Sequence, residues 1–169
     1  MPLDPDLNAR VASLNTRYKH HGATAVLEKS LRDAAVGKVA LVSSFGAESV
    51  VLLHLISVID RTTPVIFIDT EMLFAETLTY QMELTERLHL ADVRLIRADR
   101  NALFTHDNEG LLHLHDPDAC CNLRKTEPLQ KALDPFDSWI TGRKRYQGGQ
   151  RRALEFFENE DDLRIKINP

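Results

Sequence analysis

The sequence predicts an α/β fold, a doubly wound and mostly parallel five-stranded sheet with helices on both faces. Three observations predict it. Lys38–Ile59 reads as a short Val/Leu-rich run, a small-residue turn and an apolar helix, the pattern of a strand buried on both faces feeding a crossover. Further strand-like and helix-like runs then alternate with short connections, which implies right-handed βαβ units. Polar residues such as Asp69-Thr70 stand just past the ends of strands, where open parallel sheets bind their ligands.

Taken in order, Leu7, Val11, Leu14 and Tyr18 share one face of a helix starting near Asp4. Ala25–Ala35 reads as a second helix, and the two are expected to cap the sheet. The domain expectation is one nucleotide-binding unit over residues 1–169, with N-terminal helices in 1–36 and the sheet in 37–169. The first strand is Lys38–Ser43. Glu48–Ile59 is apolar nearly all round, as suits a helix buried against a sheet, and His54 reads there as a core histidine. Asp60–Pro64 breaks that helix. Strand Val65–Ile68, helix Phe74–Leu88 and strand Val93–Ile96 follow, with Arg97 at the same rim as Asp69. Asn101–His115 reads as polar and irregular. Asp116-Pro117-Asp118 opens a helix through Lys125, and Pro128 is expected to break it before Glu127–Leu133. Ser138–Thr141 is the fourth strand, Glu155–Asp162 an acidic surface stretch, and Leu163–Asn168 the fifth strand.

Composition narrows the function classes. With 169 residues, 43% hydrophobic and 27% charged, the chain can bury one core. A net charge of −4 argues against general nucleic-acid binding, which takes a broad basic surface. No apolar run approaches a membrane span and Met1–Arg10 does not read as a signal segment, so a cytoplasmic protein is expected. The only cysteines are the adjacent Cys120 and Cys121, which excludes a disulfide framework and points to metal binding, catalysis or burial.

Three segments carry chemistry. Ser43-Ser44-Phe45-Gly46-Ala47-Glu48-Ser49 supplies hydroxyls, one glycine and the free N–H groups of a helix start, an arrangement that binds anions. It lacks the lysine of GxxxxGK[ST] and the glycines of the dinucleotide fingerprint. Cys120 and Cys121 are followed within a turn by Arg124 and Lys125, whose charges compensate thiolates. Arg143–Arg152 holds five cations in ten residues on an acidic chain, well matched to phosphate or sulfate oxygens.

These segments resemble, motif by motif, the adenylyl-sulfate and phosphoadenylyl-sulfate reductases of the adenine-nucleotide alpha-hydrolase-like superfamily. Ser43–Ser49 is similar to the family's SFGxES phosphate loop, and Phe67–Tyr80, FIDTEMLFAETLTY, to its Asp-Thr motif with a following Phe-x-Glu-Thr. Cys-Cys-x-x-Arg-Lys-x-x-Pro-Leu, from Cys120 to Leu129, resembles the segment in which tandem cysteines bind a [4Fe–4S] cluster in adenylyl-sulfate reductases. Trp139, Gly142, Arg145, Gln147 and Arg151 match a Trp-x-x-Gly-x-x-Arg-x-Gln-x-x-x-Arg pattern, with departures at Tyr146 and Gly148-Gly149.

The resemblance implies thioredoxin-dependent reduction of adenylyl sulfate to sulfite and AMP in sulfate assimilation. It implies substrate binding by Ser43, Ser44, Phe45, Gly46, Ala47, Glu48, Ser49, Asp69, Thr70, Arg124, Lys125, Gly142, Arg145, Gln147 and Arg151. Lys125 takes the catalytic role of an electrostatic bridge between cluster and substrate, and Cys120 and Cys121 are the iron ligands. A [4Fe–4S] cluster takes four ligands, so this chain offers two. The family's later CxxC pair and attacking cysteine are not among these residues, and the expectation is a C-terminally truncated reductase, inactive alone. Uncovered apolar surface would favour a homo-oligomer. The alternatives are phosphoadenylyl-sulfate reduction, or a non-redox adenine-nucleotide module in which Cys120, Cys121 and His115 hold zinc, or Asp69 and Glu48 hold magnesium.

Overall fold

The computed structural model describes residues 6–43, 45, 49–69, 75–107, 109–141, 156–160 and 163–169. Six strands form one sheet in the order β3-β2-β1-β4-β6-β5. β1 (Val39–Val42), β2 (Val65–Ile68), β3 (Val93–Ile96), β4 (Ser138–Ile140) and β6 (Arg164–Ile167) run parallel, and β5 (Phe157–Glu160) pairs antiparallel with β6 at the edge.

The period-2 alternation of side chains divides the strands between two cores. Val39, Leu41, Val65, Phe67, Ile140, Ile165 and Ile167 lie on one face with Leu14 of α1 (Leu7–Arg17) and Tyr18 at its C-terminal cap, Val26 and Leu27 of α2 (Ala23–Ser30), Leu53 and Ile56 of α3 (Ser49–Ile59) and Leu84 of α4 (Ala75–Arg87). On the opposite face Ala40, Ile66 and Trp139 pack against Leu133 of α8 (Glu127–Leu133). This double burial is why the central strands are apolar at nearly every position.

β5 corrects the five-strand expectation. Its Glu-Asn-Glu core reads as surface, yet Asn159 and Glu160 have side-chain partners, the Asn159 amide donating to Asn8 Oδ1 at 2.6 Å. The Glu160 carboxylate accepts a hydrogen bond from the Trp139 indole at 2.9 Å and pairs with Arg164 and Lys166, while Lys166 lies 4.9 Å from the centre of the Trp139 ring. Phe156 and Phe157 are buried and anchor the strand to the core. The outer edge of β5 is covered by α1, whose Asn15 side chain donates to Phe157 O at 2.8 Å and accepts from Phe157 N at 2.9 Å. The outward backbone N–H and C=O of Phe157 are thereby satisfied at the sheet edge.

Other expectations also shift. Asn101–His115 is not irregular, for it contains α5 (Arg100–His106), capped by Asp99, and α6 (Leu112–His115). α2 stops at Ser30, and Asp33 instead accepts from the Ala35 N–H in a turn. α3 is buried on one side only: Val51, Val58 and His54 are exposed, so His54 is not a core residue.

Pro128 does not break the helix. α7 (Pro117–Cys121) passes through a π-helical turn, Asn122–Thr126, straight into α8, and Cys121, Asn122, Thr126 and Glu127 all keep right-handed helical dihedrals. Glu127 N–H bonds to Asn122 O, five residues back. The widened turn loosens the ladder where proline's missing N–H and ring would strain an α-helix.

Candidate active site at the carboxyl rim of the sheet

The five parallel strands deliver Ser43, Asp69, Arg97, Thr141 and Asn168 to the same rim. Ser43 is buried, its N–H bonds to Ile66 O, and its hydroxyl accepts from the Phe45 N–H at 3.1 Å. The chain turns there with Phe45 at φ 55°, left-handed for a residue with a side chain. That conformation costs of order 1–3 kcal/mol and is held by its surroundings. Phe45 is fully buried edge-on against Phe67, with ring centres 5.3 Å apart. Among the described residues of Ser43–Ser49, the left-handed position is Phe45, an aromatic residue. Ser44, Gly46, Ala47, Glu48, Thr70, Gly142, Arg145, Gln147 and Arg151, with the side chain of Ser49, lie outside the described residues.

Asp69 closes β2 with its N–H on Ile96 O, and its carboxylate is 3% exposed. It accepts from Arg97 Nε at 2.9 Å, and that arginine is half-exposed. Sequence reasoning placed Arg97 at the rim but not in the site. A polar residue one position past β3 was the available signal.

Next to this pair, α5, α6 and the π-helical turn pack together, and α7 lies against α6 and the turn. Leu123 of the turn meets Ala98 and Leu103 in a small core. A cavity of about 560 Å³ runs from Ile96, Arg97 and Asp99 to Leu123, Glu127 and Lys131. It joins the end of β3 to the π-helical turn and α8. α7 is fixed by Asp116, which accepts from the Ala119 N–H at 3.1 Å, and by Pro117 in its first turn. Cys120 is buried and Cys121 exposed. Lys125 is exposed, whereas Arg124 is buried and its Nε and Nη2 donate to Asp107 Oδ2 at 3.3 and 2.8 Å. These bonds from Arg124, with the Leu112 N–H, hold the Asp107 carboxyl below the usual aspartate range. Asp107 had no role in the sequence reading, because a partner seventeen residues away leaves no local pattern.

A [4Fe–4S] cluster takes four thiolates. Cys120 and Cys121 are the only two cysteines here, and among the described residues no three His, Cys, Asp or Glu side chains converge as a metal site. The chain's own residues therefore make half of such a ligand set and do not complete it.

Residues 38–169 match the family model described as the phosphoadenosine phosphosulfate reductase domain. Among relatives, an adenosine 5'-phosphosulfate reductase of Mesorhizobium japonicum is 45% identical over 98% of this chain and 65% of its own length. One of Chelativorans sp. is 40% identical over 99% of this chain and 68% of its own. The chain thus spans about two thirds of the length of these relatives. A phosphoadenylyl-sulfate (PAPS) reductase from Candida auris, solved as a phosphate complex, shares the fold with a TM-score of 0.78 at 22% identity, covering 100% of this chain and 80% of that one. With the family model running from just before β1 to the last residue, this chain belongs to the phosphoadenosine phosphosulfate reductase family.

Proposed function

We propose that this chain is the nucleotide-binding part of an adenylyl-sulfate reductase, which uses thioredoxin to convert adenylyl sulfate to sulfite and AMP in sulfate assimilation and cysteine biosynthesis. The observation that carries the reading is 45% identity, across nearly the whole chain, to a relative named for adenosine 5'-phosphosulfate, which is the same compound. The tandem cysteines agree with it.

In this reading the turn Ser43–Ser49 holds the anionic end of the substrate with backbone N–H groups and hydroxyls. Asp69 and Thr70 meet the nucleotide at the end of β2. Gly142, Arg145, Gln147 and Arg151 close on sulfate and phosphate oxygens, and Lys125 adds a cation beside them. A thiolate attacks the substrate's sulfur, and the bond from sulfur to the bridging oxygen breaks. AMP leaves with that electron pair. One thiol of reduced thioredoxin then attacks the cysteine sulfur of the thiosulfonate, sulfite departs, and thioredoxin's second thiol resolves the mixed disulfide. The two electrons come from the dithiol. Cys120 and Cys121 are assigned to iron, with the remaining ligands and the attacking thiol supplied from outside these 169 residues.

Titration calorimetry on the 169-residue chain tests the reading. Adenylyl sulfate and AMP are expected to bind, and phosphoadenylyl sulfate to bind more weakly. Undetectable binding of adenylyl sulfate would refute the proposal, and tighter binding of phosphoadenylyl sulfate would favour the alternative substrate. No sulfite is expected from this chain with adenylyl sulfate and reduced thioredoxin. Turnover would overturn the assignment of both thiols to iron, as would stoichiometric zinc in place of iron and acid-labile sulfide.

A further inference from the structure

The buried ion pair of Asp107 and Arg124 is not explained by stability alone. Taking two charges out of water is costly, and apolar side chains of similar volume commonly serve a core as well. What such a pair supplies is a fixed geometry. Here one carboxylate reaches three pieces of chain. Asp107 follows α5 directly. Its Oδ1 accepts from the Leu112 N–H at 2.9 Å, at the start of α6, and its Oδ2 accepts two hydrogen bonds from Arg124 in the π-helical turn. In that turn Leu123 and Arg124 are consecutive and both buried, and Lys125 immediately after them is exposed.

We infer that Asp107 is a positioning residue for substrate binding: by holding Arg124 inward it fixes the π-helical turn so that Lys125 points to the anion. Arg124 then acts as a strut and not as a direct ligand. The inference rests on the adenylyl-sulfate reading above, because it needs Lys125 to meet the substrate. It predicts that Asp107 acts only through Lys125. A general packing role predicts independent effects.

The test is a double-mutant cycle on the 169-residue chain, reading adenylyl sulfate affinity by calorimetry and folding by thermal unfolding. Lys125→Met is expected to weaken binding roughly tenfold, the scale of one charge-assisted hydrogen bond. Asp107→Asn is expected to weaken it several-fold. The double variant should bind no worse than Lys125→Met alone, and Asp107→Glu should restore part of the loss. Wild-type affinity in Asp107→Asn, or losses that multiply in the double variant, would overturn the inference while leaving the functional reading intact. Failure of the wild-type chain to bind adenylyl sulfate would overturn both. Should Asp107→Asn lose cooperative unfolding, Asp107→Glu paired with Lys125→Met completes the cycle, with the same pattern expected at smaller amplitude.

Discussion

Asp33 shows how a single carboxylate collects constraints. Burial pushes its pKa up, but the Tyr18 hydroxyl, the Ala35 N–H and Arg17 outweigh that and hold it below the ordinary value. Asp107 is held down in the same direction, first by the hydrogen bonds from Arg124. A carboxyl with a depressed pKa in the folded state contributes stability above its unfolded pKa, and that stability is lost as pH falls through the folded value. Urea midpoints should therefore hold steady from neutral pH down to the unfolded aspartate range and drop below about pH 4. Asp33→Asn and Asp107→Asn should each flatten that acid limb, and parallel curves for wild type and variants would contradict the account. Gly37 is constrained by space instead of charge. It sits at φ 76°, and an added Cβ would run into the Asp137 side chain, which accepts from the Lys38 N–H as β1 begins.

At the scale of elements, apolar patterning and breakers located the strands that became β1, β2, β3, β4 and β6 to within a residue or two at either end. β1, β2, β4 and β6 are largely buried, so their composition reports their state directly, whereas β3 lies at the sheet edge with Arg94 and Leu95 exposed and was marked by its apolar Val93, Leu95 and Ile96. β5 escaped because Glu160 is satisfied by Trp139, Lys166 and Arg164 and Asn159 by Asn8, partners that only the folded sheet brings near. α5 and α6 are seven and four residues long, too short for a helical period to show. The site was legible in the same uneven way. Ser43 and Asp69 were read from strand ends, while the Arg97 and Asp107 contacts depend on distant partners. The Asn15 amide can be tested as a cap on β5. Asn15→Ala removes two hydrogen bonds from the Phe157 backbone and should lower unfolding free energy by about 1–2 kcal/mol, measured by urea titration. An unchanged midpoint would mean that water satisfies that edge equally well.

Across the whole molecule, the strand order places β1, the first strand made, in the interior, flanked by β2 and by β4. The parallel strands bring their carboxyl ends to one side, and the π-helical turn that follows the cysteines joins that side through the Leu123, Ala98 and Leu103 contact. Matches to relatives over nearly the whole chain fit this layout, since rim residues come from segments spread from Ser43 to Asn168.

The docking of α1 on β5 spans 142 residues of chain. Loop closure of that length is entropically late. On the ribosome, α1 emerges long before the strand it must cover, and waits without that partner until the β5–β6 hairpin is released. In refolding from urea, pulse-labelled amides of Leu7–Arg17 should gain protection after those of β1 and β2. Equal or earlier protection would show that this helix settles on the nascent core before the hairpin arrives.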